Sequence, residues 1–180
     1  MKMNVPNALT ILRICMVPVF VLFLLTGLGG PYGDLIAGII FIAASLTDTL
    51  DGYLARKNNQ VTVFGKFMDP LADKLLVCSA LICLVELGRI PAWVVIIIIG
   101  RDFIISGFRL IAAEKGVVIA ANMWGKVKTT VQMIMVIALI FHFGGIFNVI
   151  EQILIWAALA LTIISLVNYL WINRSVLSEE

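Results

Sequence analysis

The chain has 180 residues, 62% of them hydrophobic and 13% charged, and a mean hydropathy of +1.09. Soluble domains hold about 45–50% apolar residues, so this composition excludes a water-soluble globular fold and marks an integral membrane protein. The net charge of +2 gives no basis for nucleic-acid binding, and the three cysteines, Cys15, Cys78 and Cys83, lie in apolar segments as fillers rather than as a disulfide framework.

Crossing a bilayer takes about 20 apolar residues, so the sequence predicts an all-α protein of six transmembrane helices, in a single domain over 1–180. The first helix is expected over 9–26, with Pro18 as a kink that membrane helices tolerate. Lys2 followed by an apolar run resembles a signal peptide, but the run ends at Thr26-Gly27-Leu28-Gly29-Gly30-Pro31 without a small-residue cleavage site. It is therefore read as an uncleaved membrane helix. After a Gly/Pro turn at 29–33 the second helix is expected over 34–57, and the polar stretch Lys57-Asn58-Asn59-Gln60 separates it from a third over 65–87. Gly88-Arg89-Ile90-Pro91 reads as a tight turn with a proline suited to a helix start. The fourth helix is expected over 92–113, the fifth over 124–143 and the sixth over 150–172, with Gly144, Gly145 and Asn148 marking the last turn.

Basic residues set the orientation. Six spans put both termini on one side, together with Lys2, Arg13, Arg56, Lys57, Lys66, Lys74, Arg109, Lys115, Lys126, Lys128 and Arg174. The opposite loops hold Arg89, and Arg101 falls in mid-span. The excess places both termini, and the hairpin between the second and third helices, in the cytoplasm, with the chain a multi-pass protein of the cell membrane.

That hairpin carries four aspartates, Asp48 and Asp51 before the polar break, Asp69 and Asp73 after it. A carboxylate inside a span costs roughly 2.5–3.5 kcal/mol on insertion scales. Four together repel one another, so a positive charge must sit between them, and a divalent metal supplies it most economically. Spacings of three and four residues put each pair on one helical face. At about 1.5 Å per residue both pairs lie at a similar depth below the helix ends. Four hard oxygen donors favour Mg²⁺ or Mn²⁺ over zinc or copper. Two divalent ions about 3.5–4 Å apart suit in-line displacement at phosphorus. Carboxylates inside spans also mark proton or cation pathways, and their spacing alone leaves that class open. Gly52, Ala55 and Gly65 leave a wall without bulky side chains, where a flat ring or phosphate can approach the backbone. Arg56 can fork onto phosphate oxygens or serve topology alone.

The run Asp48-Thr49-Leu50-Asp51-Gly52-Tyr53-Leu54-Ala55-Arg56, followed after eight residues by Gly65-Lys66-Phe67-Met68-Asp69-Pro70-Leu71-Ala72-Asp73, resembles the signature of the CDP-alcohol phosphatidyltransferase family. Every fixed position is filled at the family's spacing, eight specified residues across 26 positions. Pro6-Asn7-Ala8-Leu9-Thr10-Ile11-Leu12-Arg13, then Arg101-Asp102 with Ser106 and Arg109, and Trp124-Gly125-Lys126-Val127-Lys128-Thr129-Thr130 extend the likeness to its bacterial phosphatidylglycerophosphate-forming members. Asp102 stands where those members usually carry glutamate. The resemblance implies transfer of the phosphatidyl group of CDP-diacylglycerol to sn-glycerol 3-phosphate, releasing CMP. It implies Asp48, Asp51 and Asp69 as metal ligands and Asp73 as both ligand and general base. It implies a CDP pocket of Asp48, Asp51, Gly52, Ala55, Arg56 and Gly65, and a homodimer. Sibling members that use inositol phosphate, serine or another alcohol share the whole core motif.

A dianionic acceptor needs fixed positive charge. Arg101 and Arg109 rank first for its phosphate and Lys126 follows, while Lys128 reads as a topological residue and Lys66 and Lys74 as moderators of repulsion. Arg101 could equally form a structural ion pair with Asp102. Asn7, Thr10 and Arg13 are candidates for the pyrophosphate of CDP or for capping the first helix. Trp93, Trp124, Trp156 and Trp171 are expected as membrane-interface anchors.

Overall fold

The computed structural model describes residues 5–57, 63–114, 116, 119 and 122–174, with side chains described for 7–47, 65, 68–114, 116, 119 and 122–174. Among the described residues there are six α-helices and no strand: α1 (Val5–Leu25), α2 (Gly33–Lys57), α3 (Val63–Glu86), α4 (Ala92–Glu114), α5 (Met123–Phe141) and α6 (Phe147–Ile172). A short 3-10 turn, Gly30–Tyr32, leads into α2. Among the described residues four segments are long and apolar enough to cross a membrane: Asn7–Leu25, Gly30–Thr47, Met123–Phe141 and Phe147–Ile172. The sequence predicted six. The difference is charge: α3 carries Lys66, Asp69, Asp73 and Lys74 in its first half, and α4 carries Arg101, Asp102 and Arg109. The chain is a multi-pass helical membrane protein, and α3 and α4 hold much of its ionisable chemistry.

Two compact units make up the chain. The first comprises Met1–Arg89 with Leu139–His142, the second Ile90–Ala138 with Phe143–Glu180. In the first unit α1 packs against α2 and α3. Its buried stripe runs Asn7, Thr10, Arg13, Val17, Phe20, Leu24, a spacing of three and four that keeps one face inward. The stripe is polar at its start and apolar at its end. α2 answers with Ala37, Phe41 and Ala44, and α3 with Ala72, Leu76, Ala80 and Leu84, all buried. Alanines let the helix axes approach, while Phe20 and Phe41 fill the remaining space with ring centroids 5.7 Å apart. Gly38 is a closer approach still, because a Cβ there would lie 2.6 Å from the ring of Phe141.

α3 ends in a Schellman motif. Arg89 N–H donates to Leu84 O and Gly88 N–H to Val85 O, with Gly88 at φ +68. Pro91 stands one residue ahead of α4, and its carbonyl accepts from Val94 and Val95. The motif aims Arg89 back into the first unit. Its Nη1 donates to the carbonyls of Leu139 at 3.0 Å and Ile140 at 2.8 Å, and its Nη2 to Asp34 Oδ2 at 2.6 Å. One guanidinium thus satisfies carbonyls in the last turn of α5 and pairs with the first turn of α2. Arg89→Met should destabilise the protein by about 1.5–3 kcal/mol, the usual worth of charged hydrogen bonds. A lowered Tm in detergent with unchanged turnover at low temperature is the expected result, and an unchanged Tm would refute it.

In the second unit α4 and α6 pack together through matched stripes. α4 buries Val94, Ile98, Arg101, Ile105, Phe108 and Ala112, and α6 buries Glu151, Ile155, Ala158, Thr162, Ser165 and Tyr169. The partners climb in the same direction: Trp93 with Trp156, Arg101 with Ser165, Phe108 with Tyr169. The two helices are therefore parallel. α6 starts before Asn148, which the sequence had placed in the turn. The N–H groups of Phe147, Asn148 and Val149 bond three residues back, so the tight Gly144-Gly145 turn passes directly into helix.

Candidate active site

The polar end of the α1 stripe organises the first unit. Thr10 donates its hydroxyl to Asp69 Oδ1 at 2.6 Å, and Arg13 donates Nε to the carbonyl of Ala44 at 3.2 Å. Thr10 and Arg13 are both 0% exposed. Three residues apart on α1, they tie the start of α3 and the later part of α2 to one end of the unit. Thr10 and Arg13 lie inside the helix and reach across to neighbours, so neither acts as a helix cap. Asn7, on the same face, is buried as well.

Asp69 and Asp73 are half-buried and one turn apart on α3. Pro70 follows Asp69 inside the helix and cannot donate to the carbonyl four residues earlier, which loosens the ladder beside the carboxylate. Asp48, Asp51, Gly52, Ala55 and Arg56 lie on the last three turns of α2, and their side chains are outside the described set. Ala44 is one turn before Asp48, so the Arg13 contact reaches the helix just ahead of the first signature aspartate. Gly65 is buried near the start of α3. Among the described residues no group of three or more His, Cys, Asp and Glu gathers, and that set includes two of the four signature aspartates. The donors present suit a hard cation. Asp69 keeps Oδ2 beyond its hydrogen bond to Thr10, and an all-carboxylate set matches Mg²⁺ or Mn²⁺.

A second charged cluster lies in the second unit. Arg101 donates Nε to Ser165 Oγ at 3.1 Å and Nη1 to Asp102 Oδ1 at 3.0 Å. Lys128 Nζ grips both oxygens of Asp102, at 2.6 and 2.8 Å. Lys128 is 1% exposed, which overturns the topological reading of this lysine. Lys126 is exposed. Residues two apart on a helix point to nearly opposite sides, so Lys126 and Lys128 cannot both face α4. The buried stripe Lys128, Gln132, Met135, Leu139 shows which one does. That stripe was the available signal for Lys128. Gly125 leaves room for the arginine, since a Cβ there would stand 3.3 Å from Arg101 Nη2. Arg109 is exposed and lies over the ring of Tyr169, 5.8 Å from its centroid. Arg101 and Lys128 thus meet at one carboxylate, while Arg109 and Lys126 stand apart from that contact.

The tryptophans are all substantially exposed, as interface anchors require. Trp156, however, lies well inside α6 and pairs with Trp93, ring centroids 6.0 Å apart.

The chain matches the CDP-alcohol phosphatidyltransferase family over residues 3–164. It is similar to a Bacillus subtilis protein named CDP-diacylglycerol–glycerol-3-phosphate 3-phosphatidyltransferase, 45% identical over 90% of this chain and 91% of the relative. A Haemophilus influenzae protein of the same name is 42% identical over 100% of this chain and 98% of its own length. A Rickettsia bellii protein, again with that name, is 36% identical over 92% of this chain and 93% of its own. Matched along nearly its whole length, the chain belongs to the CDP-alcohol phosphatidyltransferase family.

Proposed function

We propose that the protein transfers the phosphatidyl group of CDP-diacylglycerol to sn-glycerol 3-phosphate, forming phosphatidylglycerophosphate and CMP. The strongest support is the activity name shared by relatives 36–45% identical over at least nine-tenths of this chain. A hydroxyl oxygen of the acceptor attacks the phosphorus that bears the lipid. The bond from that phosphorus to the CMP oxygen breaks, and the hydroxyl proton passes to Asp73. Two divalent ions, Mg²⁺ or Mn²⁺, held by Asp48, Asp51, Asp69 and Asp73, would neutralise the pyrophosphate and the charge growing on CMP. Gly52, Ala55, Arg56 and Gly65 surround the CDP group, and the α1 strip of Asn7, Thr10 and Arg13 borders it. Arg101 and Arg109 take the acceptor's phosphate, aided by Lys128, whose burial beside Arg101 favours it over the oppositely directed Lys126. The lipid tails can stay in the bilayer while the head group alone enters.

We infer further that all six helices span as one domain, with both termini and the aspartates on the cytoplasmic side, and that the protein works as a homodimer. Single-cysteine accessibility in intact cells and cross-linking in membranes check these two points. A cytoplasm-inaccessible 58–62 connection would refute the first, and a fully active cross-link-free monomer the second.

CMP release from purified protein in detergent decides the reaction. With CDP-diacylglycerol, Mg²⁺ and glycerol 3-phosphate, CMP should form. Serine and glycerol, which lack a phosphate, should give at most about a hundredth of the rate, as expected where buried cations await one, and inositol phosphate should turn over more slowly than glycerol 3-phosphate. Preference for an unphosphorylated alcohol would move the protein to a sibling activity. No CMP with any acceptor would end the transferase assignment.

A further inference from the structure

The second unit buries more than a pair of cations: it buries them around one carboxylate. Asp102 Oδ1 accepts from both Arg101 Nη1 and Lys128 Nζ, and Oδ2 accepts from Lys128. These three side chains together keep a net positive charge. Ser165 fixes Nε of Arg101 from α6, so the guanidinium is held along one edge. Its Nη2 makes no hydrogen bond among the described residues and faces Gly125 in the first turn of α5. A helix start offers backbone N–H groups and a positive field to an anion. Arg101 is 9% exposed, and this Nη2 is the donor nearest that turn.

We propose that Asp102 is a positioning residue for the acceptor's phosphate. It removes the mutual repulsion of Arg101 and Lys128 and sets the angle at which Nη2 meets the first turn of α5. This rests on glycerol 3-phosphate being the acceptor. The carboxylate itself repels phosphate, so its value lies in what it holds: a guanidinium restrained at Nε and Nη1 has its remaining edge already oriented before substrate arrives. A neutral side chain of the same shape would leave two buried cations free to separate.

The test uses CMP release and Tm measured on the full chain in detergent. Asp102→Asn should raise KM for glycerol 3-phosphate about tenfold with KM for CDP-diacylglycerol unchanged, and Asp102→Glu should return it to within about threefold. Equal rises in both KM values, or no rise, would overturn the proposal. If the Asn variant fails to fold, Lys128→Met decides, because it removes one cation and leaves Arg101 paired. Adding Asp102→Asn to Lys128→Met should raise the acceptor KM at least about threefold further, since Asp102 still holds Arg101 in that background. No further rise would show that Asp102 merely neutralises Lys128, and the proposal would fail. Wild-type turnover with another acceptor but none with glycerol 3-phosphate would instead refute the acceptor assignment, and this proposal with it.

Discussion

Exchange of Asp73 for asparagine should lower CMP release by about 10³-fold or more, because it removes a proton acceptor and a metal ligand at once. Asp69→Asn should be nearly as severe, yet the protein should fold. An asparagine Oδ1 can still accept the Thr10 hydroxyl, so the α1–α3 contact survives while the charge is lost. Thr10→Val separates the two roles. It leaves both carboxylates and removes the hydrogen bond that orients Asp69, so half-saturation by Mg²⁺ should rise about tenfold and excess Mg²⁺ should recover the rate. Chelation should abolish turnover, and Mg²⁺ or Mn²⁺ should restore it. Asp73→Asn with more than a tenth of wild-type activity, or turnover undiminished by chelation, would remove both the base and the metals. A cation pathway also predicts loss at these aspartates. It does not predict CMP, nor an acceptor-dependent rate.

Much of the fold was legible because membrane helices leave a coarse signal. Predicted and observed bounds agree within about four residues at every helix, since Gly29-Gly30-Pro31, Gly88, Pro91 and Gly144-Gly145 punctuate the apolar runs where the turns lie. Asn148 was misplaced because a polar residue beside two glycines reads as turn, while the chain used only the glycines and continued as helix. The count of spans was the harder inference. Length gives six, but α3 and α4 each carry at least three charged residues within a span's length, and the proposed chemistry depends on these helices. A rule that limits charge penalises a helix for carrying ionisable side chains.

The candidate site was legible as a set of residue types and less so as a set of directions. Asn7, Thr10 and Arg13 could be grouped by spacing, but the sequence could not say whether their face met lipid, a cap or another helix. The structure gives them Asp69 and the Ala44 carbonyl. Lys126 and Lys128 illustrate the opposite case. Their ranking treated both as end-of-helix charges, when continuing the period through Gln132, Met135 and Leu139 separates the buried lysine from the exposed one. Arg89 had no visible role in sequence because two of its partners are backbone carbonyls, of Leu139 and Ile140, and the third, Asp34, lies 55 residues away in the chain.

Arg13→Met should reduce CMP release by about 10²-fold or more, the second of the large effects, because a fully buried guanidinium can be retained only where it is compensated. Its surroundings supply the compensation. Thr10, one turn earlier, reaches Asp69, and the Ala44 carbonyl that Arg13 bonds is one turn before Asp48. Nε donates to that carbonyl, and a planar guanidinium has the fork shape suited to paired phosphate oxygens. Arg13→Lys keeps the charge and loses the fork, so it separates the two uses of the residue. If Arg13 serves as a counter-charge alone, lysine should restore most of the rate. If it grips the pyrophosphate, lysine should recover no more than about a tenth, with a raised KM for CDP-diacylglycerol and an unaltered KM for glycerol 3-phosphate. We expect the second pattern. Full activity in Arg13→Lys would leave the polar end of the α1 stripe with a structural duty only, and would move the pyrophosphate contact to Arg56.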